Sequence, residues 1–205
     1  MEEHVAHVER LFEEGDNSSR QQNWQDASKQ YGKSFNYYAI HIGIDSELRK
    51  QYGPESPMWL LYNKMHADFQ LGDYLEVMQA AAVVHQQFGK LKGFVIGNPY
   101  FHLRVGQAKY RLCPNEDQRN MPGPGSPRDE LARALIGGGP RLFANEPAEY
   151  YQFVQSFLRP PQDCATWDDA SDYGCLIEAL NSSRGYLREL FTERFGSCPP
   201  WSNSS

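Results

Sequence analysis

His66 and Asp68, in the stretch "NKMHADF", are residues that could do chemistry, as a general base and the acid that orients it. Two positions apart on one helix, they point in different directions and form no relay. His102 and Arg104, in "FHLRV", have the same spacing and the same defect, and Arg104 reads as a structural ion-pair or capping residue. No HExxH and no His, Cys, Asp or Glu cluster with metal-ligand spacing occurs, so no catalytic residue, metal or cofactor is expected. "IGGGP" follows a helical pattern rather than a strand and lacks the Gly-Lys-Ser/Thr ending, so it reads as a helix stop and not as a phosphate loop. Asp168, Asp169 and Asp172, in "TWDDASD", make an acidic patch that could dock a basic partner. The competing reading is a solvated loop with Asp172 as the N-cap of the last helix. Calcium is not supported, because the loop-and-glutamate spacing is absent.

Recognition is better provided for than reaction. Over residues 57–71, Trp59, Tyr62, His66, Phe69 and Gln70 fall on a face distinct from Leu61 and Met65. Aromatic rings beside amides suit protein recognition, although the same rings could pack on a neighbouring helix. Composition agrees with a protein partner rather than a nucleic acid. The formal charge of the 205 residues is -6, against the many Lys and Arg contacts that phosphate binding needs. The start, "MEEHVAHVERLFEEGD", has no secretory-signal pattern, and no apolar run is long enough to span a bilayer, so a cytoplasmic chain without membrane contact is expected. Cys113, Cys164, Cys175 and Cys198 have no CxxC spacing and read as free thiols; an exported chain could instead pair Cys164 or Cys175 with Cys198. The Asn-x-Ser triplets at Asn17, Asn181 and Asn203 carry meaning only in a secreted chain.

These residues must be positioned by helices. Val5, Val8 and Phe12 share a helical face, and Gly15 and Asn17 are read as ending that segment. Periodicity resumes through Trp24, Ala27, Tyr31, Phe35 and Tyr38. Ser56-Pro57, Asn98-Pro99 and Ser126-Pro127 each give a cap followed by proline, the signal for a helix start. Residues 113–127 read as a Pro- and Gly-rich loop, and further helices are expected over 147–158 and 173–195. No good strand appears, and the fold class is all-α, about eight helices in antiparallel pairs. In "QLGDYLEV" the connection must be a tight reversal. Gly72 supplies the left-handed residue that ends one helix, and Asp73 caps the next.

The segment "WLLYNKMHADFQLGDYLEVMQAA" resembles a tetratricopeptide repeat, in which a small mid-helix residue is followed by Gly-Asp-aromatic and a second helix. "NWQDASKQYGKS" resembles the second helix of another repeat, with Gly15 at the small position of its first helix. "FHLRVGQAKYRL" resembles a third first helix, with Gly106 as the small contact and "RDELARAL" as its partner. Val77 and Lys64 depart from the family pattern, which usually has alanine and leucine there. The resemblance is strongest over residues 57–88 and gives nothing beyond about residue 160. It implies hairpins stacked as a short solenoid over 1–160, with a linker, a C-terminal capping helix and a frayed tail over 161–205 of the same domain. It also places Trp59, Tyr62, His66, Phe69 and Gln70, and in the next unit Tyr100, Leu103, Gln107, Tyr110 and Arg111, in a concave groove, with Tyr62 and Tyr110 expected to be most exposed.

"GNPYFHLRVGQ" followed by "ARALIGGGPRLFANEPAEYYQFV" is further similar to small bacterial tetratricopeptide-like proteins, some of which look like immunity partners in toxin loci. The expectation is a non-enzymatic module binding a protein through Trp59, Tyr62, His66, Phe69, Gln70, Tyr100, Gln107, Tyr110, Arg111 and the Asp168–Asp169 edge, in its specific form an immunity protein occluding a cognate toxin. The alternatives are an adaptor or chaperone for extended peptides, and an all-α hydrolase with an unrecognised site near His66 and His102. A pheromone-sensing regulator is disfavoured, because no basic helix-turn-helix precedes the repeats.

Overall fold

The computed structural model of the protein describes residues 2–43, 56–88, 98–121 and 125–158. The described residues are helical, with no strand among them. The predicted helix over 173–195, the tail and the "GFVIG" run lie outside them. The chain divides into two compact units, Met1–Lys90 and Leu91–Ser205.

The first unit holds α1 (Glu2–Arg20), α2 (Trp24–His41), α3 (Ser56–Leu71) and α4 (Tyr74–Phe88). Each packs against the next. Cross-contacts fix the directions. Ser34 Oγ donates to the Val8 carbonyl at 3.0 Å, and Tyr31 Oη donates to Asp16 at 2.7 Å, so α2 runs back along α1. Ser28 donates to Asp68, while Gly32 faces the Lys64 stem at 3.5 Å, so α3 runs back along α2. Ala27, Tyr31 and Ala67 form a core where the three helices meet, flanked by Phe12 and Trp24.

Gly15 and Asn17 do not end the first helix, as the sequence pattern suggested; α1 continues to Arg20. Gly15 is instead a packing position. A Cβ there would lie 2.7 Å from the Tyr31 ring, so only glycine admits the ring at that depth. Burial, together with the bond and charge of Asp16, pushes the Tyr31 phenol well above its ordinary value. The real end comes at Gln22, which takes a left-handed φ of 58°.

The turn at Gly72 follows the sequence reading. Gly72 has a φ of 78°. Its N–H bonds to the Phe69 carbonyl at 3.0 Å and the Asp73 N–H to the Asp68 carbonyl at 2.9 Å, the paired bonds of a Schellman ending. Asp73 Oδ1 then accepts from the Glu76 N–H at 3.4 Å as α4 begins. Lys64 and Val77, the two departures from the repeat pattern, both have work here. Val77 is fully buried. Lys64 Nζ donates to Asp68 at 2.6 Å and to Glu76 at 3.2 Å, tying α3 to α4. Burial alone would lower the ammonium's pKa, but the two carboxylates overturn that and raise it.

The second unit holds α5 (Pro99–Leu112), α6 (Glu116–Asn120), α7 (Pro127–Gly138), a 3-10 turn (Pro140–Phe143) and α8 (Ala148–Phe157). Asn98 caps α5, accepting from Tyr100 and Phe101 N–H at 3.0 and 3.2 Å, and Ser126 caps α7, accepting from Asp129 N–H at 3.1 Å. The loop expected over 113–127 contains α6, which Asn115 caps by accepting from Gln118 N–H at 2.9 Å. "IGGGP" does stop a helix: Gly139 takes a φ of 71° after α7. The main packing here is α5 against α7. At their crossing, a Cβ on Gly106 would meet Leu131 Cγ at 2.7 Å and the Leu131 backbone nitrogen at 3.0 Å.

The two mid-helix glycines Gly106 and Gly32 therefore respond in opposite directions to a methyl group. Gly106→Ala forces two backbones apart and lowers unfolding free energy by about 1–3 kcal/mol, partly offset by the better helix propensity of alanine. Gly32→Ala meets only ordinary contact with Lys64 and raises it by about 0.5–1 kcal/mol. Denaturant unfolding of both variants beside the natural chain checks this; equal effects would contradict the assigned contacts.

Candidate functional site

The residues expected to recognise a partner fall into both units. In the first, α3 separates its faces as the periodicity requires: Leu61 and Met65 are buried, whereas Trp59 is 38% exposed and Gln70 is exposed. Tyr62, His66 and Phe69 are half-buried. The Trp59 and Tyr62 rings meet edge to face at 5.4 Å, His66 meets Trp24 of α2 edge to face at 5.5 Å, and Phe69 lies 5.5 Å from Tyr74 of α4. Trp59 and Gln70 are thus exposed along this row, whereas His66 and Phe69 are drawn into contacts with α2 and α4.

Trp59 also lines an apolar cleft of about 320 Å³, partly open to solvent. α1 contributes Val5, Val8 and Phe12, α2 contributes Tyr38 and Ile42, and α3 contributes Trp59 and Leu60; Glu9 is the one charged residue in the lining. Sequence reasoning missed this cleft. Val5, Val8 and Phe12 appear in the sequence only as a helix face, and nothing in their spacing tells a filled face from an unfilled one.

In the second unit, Tyr100 is 48% exposed and Leu103 is buried. Gln107 is fully buried: its Oε1 accepts from Arg104 at 2.7 Å and its Nε2 donates to Glu146 at 2.9 Å. Tyr110 is half-buried rather than open. It lies 5.4 Å from the Tyr150 ring and 5.1 Å from the Phe153 ring of α8, and the Arg119 guanidinium sits 4.3 Å above it. Tyr62 is likewise half-buried, with the Trp59 ring edge to face against it, so neither tyrosine is a highly exposed residue. Arg111 Nε donates to Tyr150 Oη at 2.8 Å and Nη2 pairs with Glu149. Asp168 and Asp169 lie outside the described residues.

His66 and His102 belong to different units, and each has its own surroundings. His102 is buried on α5, with Nδ1 2.7 Å from Glu130 Oε2 of α7. Lys109 Nζ donates to Glu130 Oε1 at 2.8 Å and to the Gly125 carbonyl at 2.6 Å. Arg104 forms the ion pair its position suggested, with Glu146 at 2.7 Å. Next to Glu130, Asp129 pairs with Arg133 at 3.0 Å and accepts from the Gly125 N–H at 2.6 Å. The two neighbouring carboxyls are driven apart. Burial pushes Asp129 up, and Arg133 with the backbone bond only partly opposes this. Burial would push Glu130 up too, but the bond and charge of His102, together with Lys109, hold it at about 2. Such a cluster locks α5, α7 and the segment before α8 in register, since removing any one partner strands a buried charge. Among the described residues, no group of three or more His, Cys, Asp or Glu is placed to hold a metal, and no helix is long and apolar enough to cross a membrane. The chain matches no known family profile, no characterised protein and no solved structure.

Glu130 makes the second unit acid-sensitive. Its carboxyl titrates near 2 when folded and near its ordinary 4.5 when unfolded. The stability it contributes is therefore complete above about pH 5 and lost as the pH falls towards 2, a change of roughly 3 kcal/mol. Glu130→Gln is expected to be less stable at pH 7 and to lose less between pH 5 and pH 2.5. Urea titrations of both chains at the two pH values measure the difference; parallel losses would contradict it.

Proposed function

We propose that this chain is a non-enzymatic, tetratricopeptide-like module that captures another protein, and that in its specific role it is an immunity protein occluding a cognate toxin in the cytoplasm. One observation carries the binding part: on α3 the Trp59–Tyr62 pair stands at an apolar cleft, with Trp59 38% exposed. Tryptophan and tyrosine beside a pocket are the residue types in which binding energy concentrates. The tetratricopeptide part is supported by the antiparallel succession of α1 to α4, the glycine ending at Gly72 and the small residues Gly15 and Gly106 at helix crossings. The immunity role is supported by the "GNPYFHLRVGQ" and "EPAEYYQF" resemblance. Its residues give the second unit a rigid frame, through the Asn98 cap, Gly106 and the Arg104–Gln107–Glu146 bonds. Occlusion requires no chemistry, only a desolvated interface of about 1,600 Å² in total.

Expression beside the neighbouring genes tests this. An immunity protein co-purifies in fixed stoichiometry with one toxin and rescues cells that produce it. An adaptor instead binds several related peptides at micromolar affinity and gives no rescue. Trp59→Ala and Tyr62→Ala are each expected to weaken the captured partner by about 2 kcal/mol, some thirtyfold, in calorimetric titration, with circular dichroism unchanged. Undiminished affinity in both variants would reject this face of α3 as the site.

A further inference from the structure

The cleft beside Trp59 defines its occupant more narrowly. Protein interiors are close-packed, and voids larger than a water molecule are few. An apolar recess of about 320 Å³ is of the size that ligand sites use, at the lower end of their range. Left to water it exposes side chains that gain by being covered. A single Leu, Phe or similar side chain can enter it from the open side.

The charge beside it is one-sided. Glu9 lines the cleft. Glu2 lies seven residues before Glu9 and Glu13 four after it, so the three carboxylates follow one ridge of α1 alongside the Val5–Val8–Phe12 stripe. All three are exposed, and none joins the ion pairs formed among the described residues. Arg10, next to Glu9, is engaged by the His7 ring nitrogen at 2.7 Å. An acidic peptide, a phosphate or a second copy of this acidic chain would meet repulsion along the ridge. A Lys or Arg next to the entering apolar residue would meet carboxylates.

Building on the protein-binding reading above, we infer that the cleft between α1, α2 and α3 seats a partner segment presenting an apolar side chain flanked by Lys or Arg. The apolar side chain displaces water from the recess, and the flanking cations pair with Glu9 and its ridge. The Trp59–Tyr62 pair forms one wall of the same seat.

The test uses the full ¹⁵N-labelled chain and three amidated peptides of equal length: Gly-Lys-Leu-Phe-Lys-Gly, the same peptide with Glu for Lys, and the same peptide with Ser for Leu and Phe. The first is expected to shift the amide signals of Val5, Val8, Glu9 and Leu60 and to bind at least tenfold more tightly than the other two. Glu9→Lys, an exposed substitution on α1, is expected to weaken it at least fivefold without altering thermal unfolding. Val8→Phe, which fills the recess, should weaken it similarly. Absence of binding by the first peptide, equal affinity of the three, or indifference to Glu9→Lys would each overturn the assignment. Pull-down of the cellular partner separates the two readings. A partner held equally by the natural chain and by Glu9→Lys removes the cleft and leaves protein binding standing; a natural chain that holds no partner removes both.

Discussion

A helix with a large side chain at a crossing cannot approach its neighbour closely, and both units depend on glycine to remove that obstacle. Gly15 admits the Tyr31 ring, and Gly106 admits Leu131 together with its backbone. From the first contact follow the depth of Tyr31, its hydroxyl's bond to Asp16 and the Ala27–Tyr31–Ala67 core. From the second follows the register that brings His102 and Lys109 onto Glu130. Close approach at one point of a helix pair leaves the rest of the pair splayed or filled according to side-chain size. In the first unit, the α1–α2 pair is tight at Gly15 and, with α3, encloses a recess near Val5 and Ile42.

The two units fasten their helices by different means. The first relies on apolar packing, on single polar bonds between helices at Ser34–Val8, Tyr31–Asp16 and Ser28–Asp68, and on a charged staple, Lys64 between Asp68 and Glu76. The second buries a cluster of charges on α5 and α7. Buried ion pairs add little net stability over apolar packing, but they make misregistered arrangements costly. At His102 the imidazole is enclosed and its carboxylate partner is shared with a lysine.

Much of this was legible in the sequence because it rests on local chemistry. Caps at Asn98 and Ser126, the glycine ending at Gly72 and the stop at Gly139 are set by one or two residues, and each lies where its residue type requires. The inner and outer faces of α3 followed from period alone. What failed was non-local. By local pattern Gly15 reads as a helix breaker, because glycine weakens an isolated helix, while the repeat resemblance puts it at a small contact position; the tertiary contact with Tyr31 keeps the helix going. Gln107 and Tyr110 fell on a face that spacing alone could not distinguish from a surface, and Glu146, Tyr150 and Phe153 cover it. Asp129 and Glu130 stand in the first turn of α7, and Arg133, one turn on, is a partner that helical spacing alone gives Asp129; His102 and Lys109, the partners of Glu130 on α5, do not show in the local pattern.

The proposed function rests on a glycine-seated helical frame and on the cleft beside Trp59, between α1, α2 and α3, as the face that would receive another polypeptide. Hydrogen exchange of the full chain, alone and in the complex it forms in cells, tests that claim most directly. Slowed exchange concentrated in α1 and the first half of α3, with the rest of the chain little changed, is the predicted result. Protection confined to the Leu91–Ser205 unit, or none in α1 and α3, would contradict it.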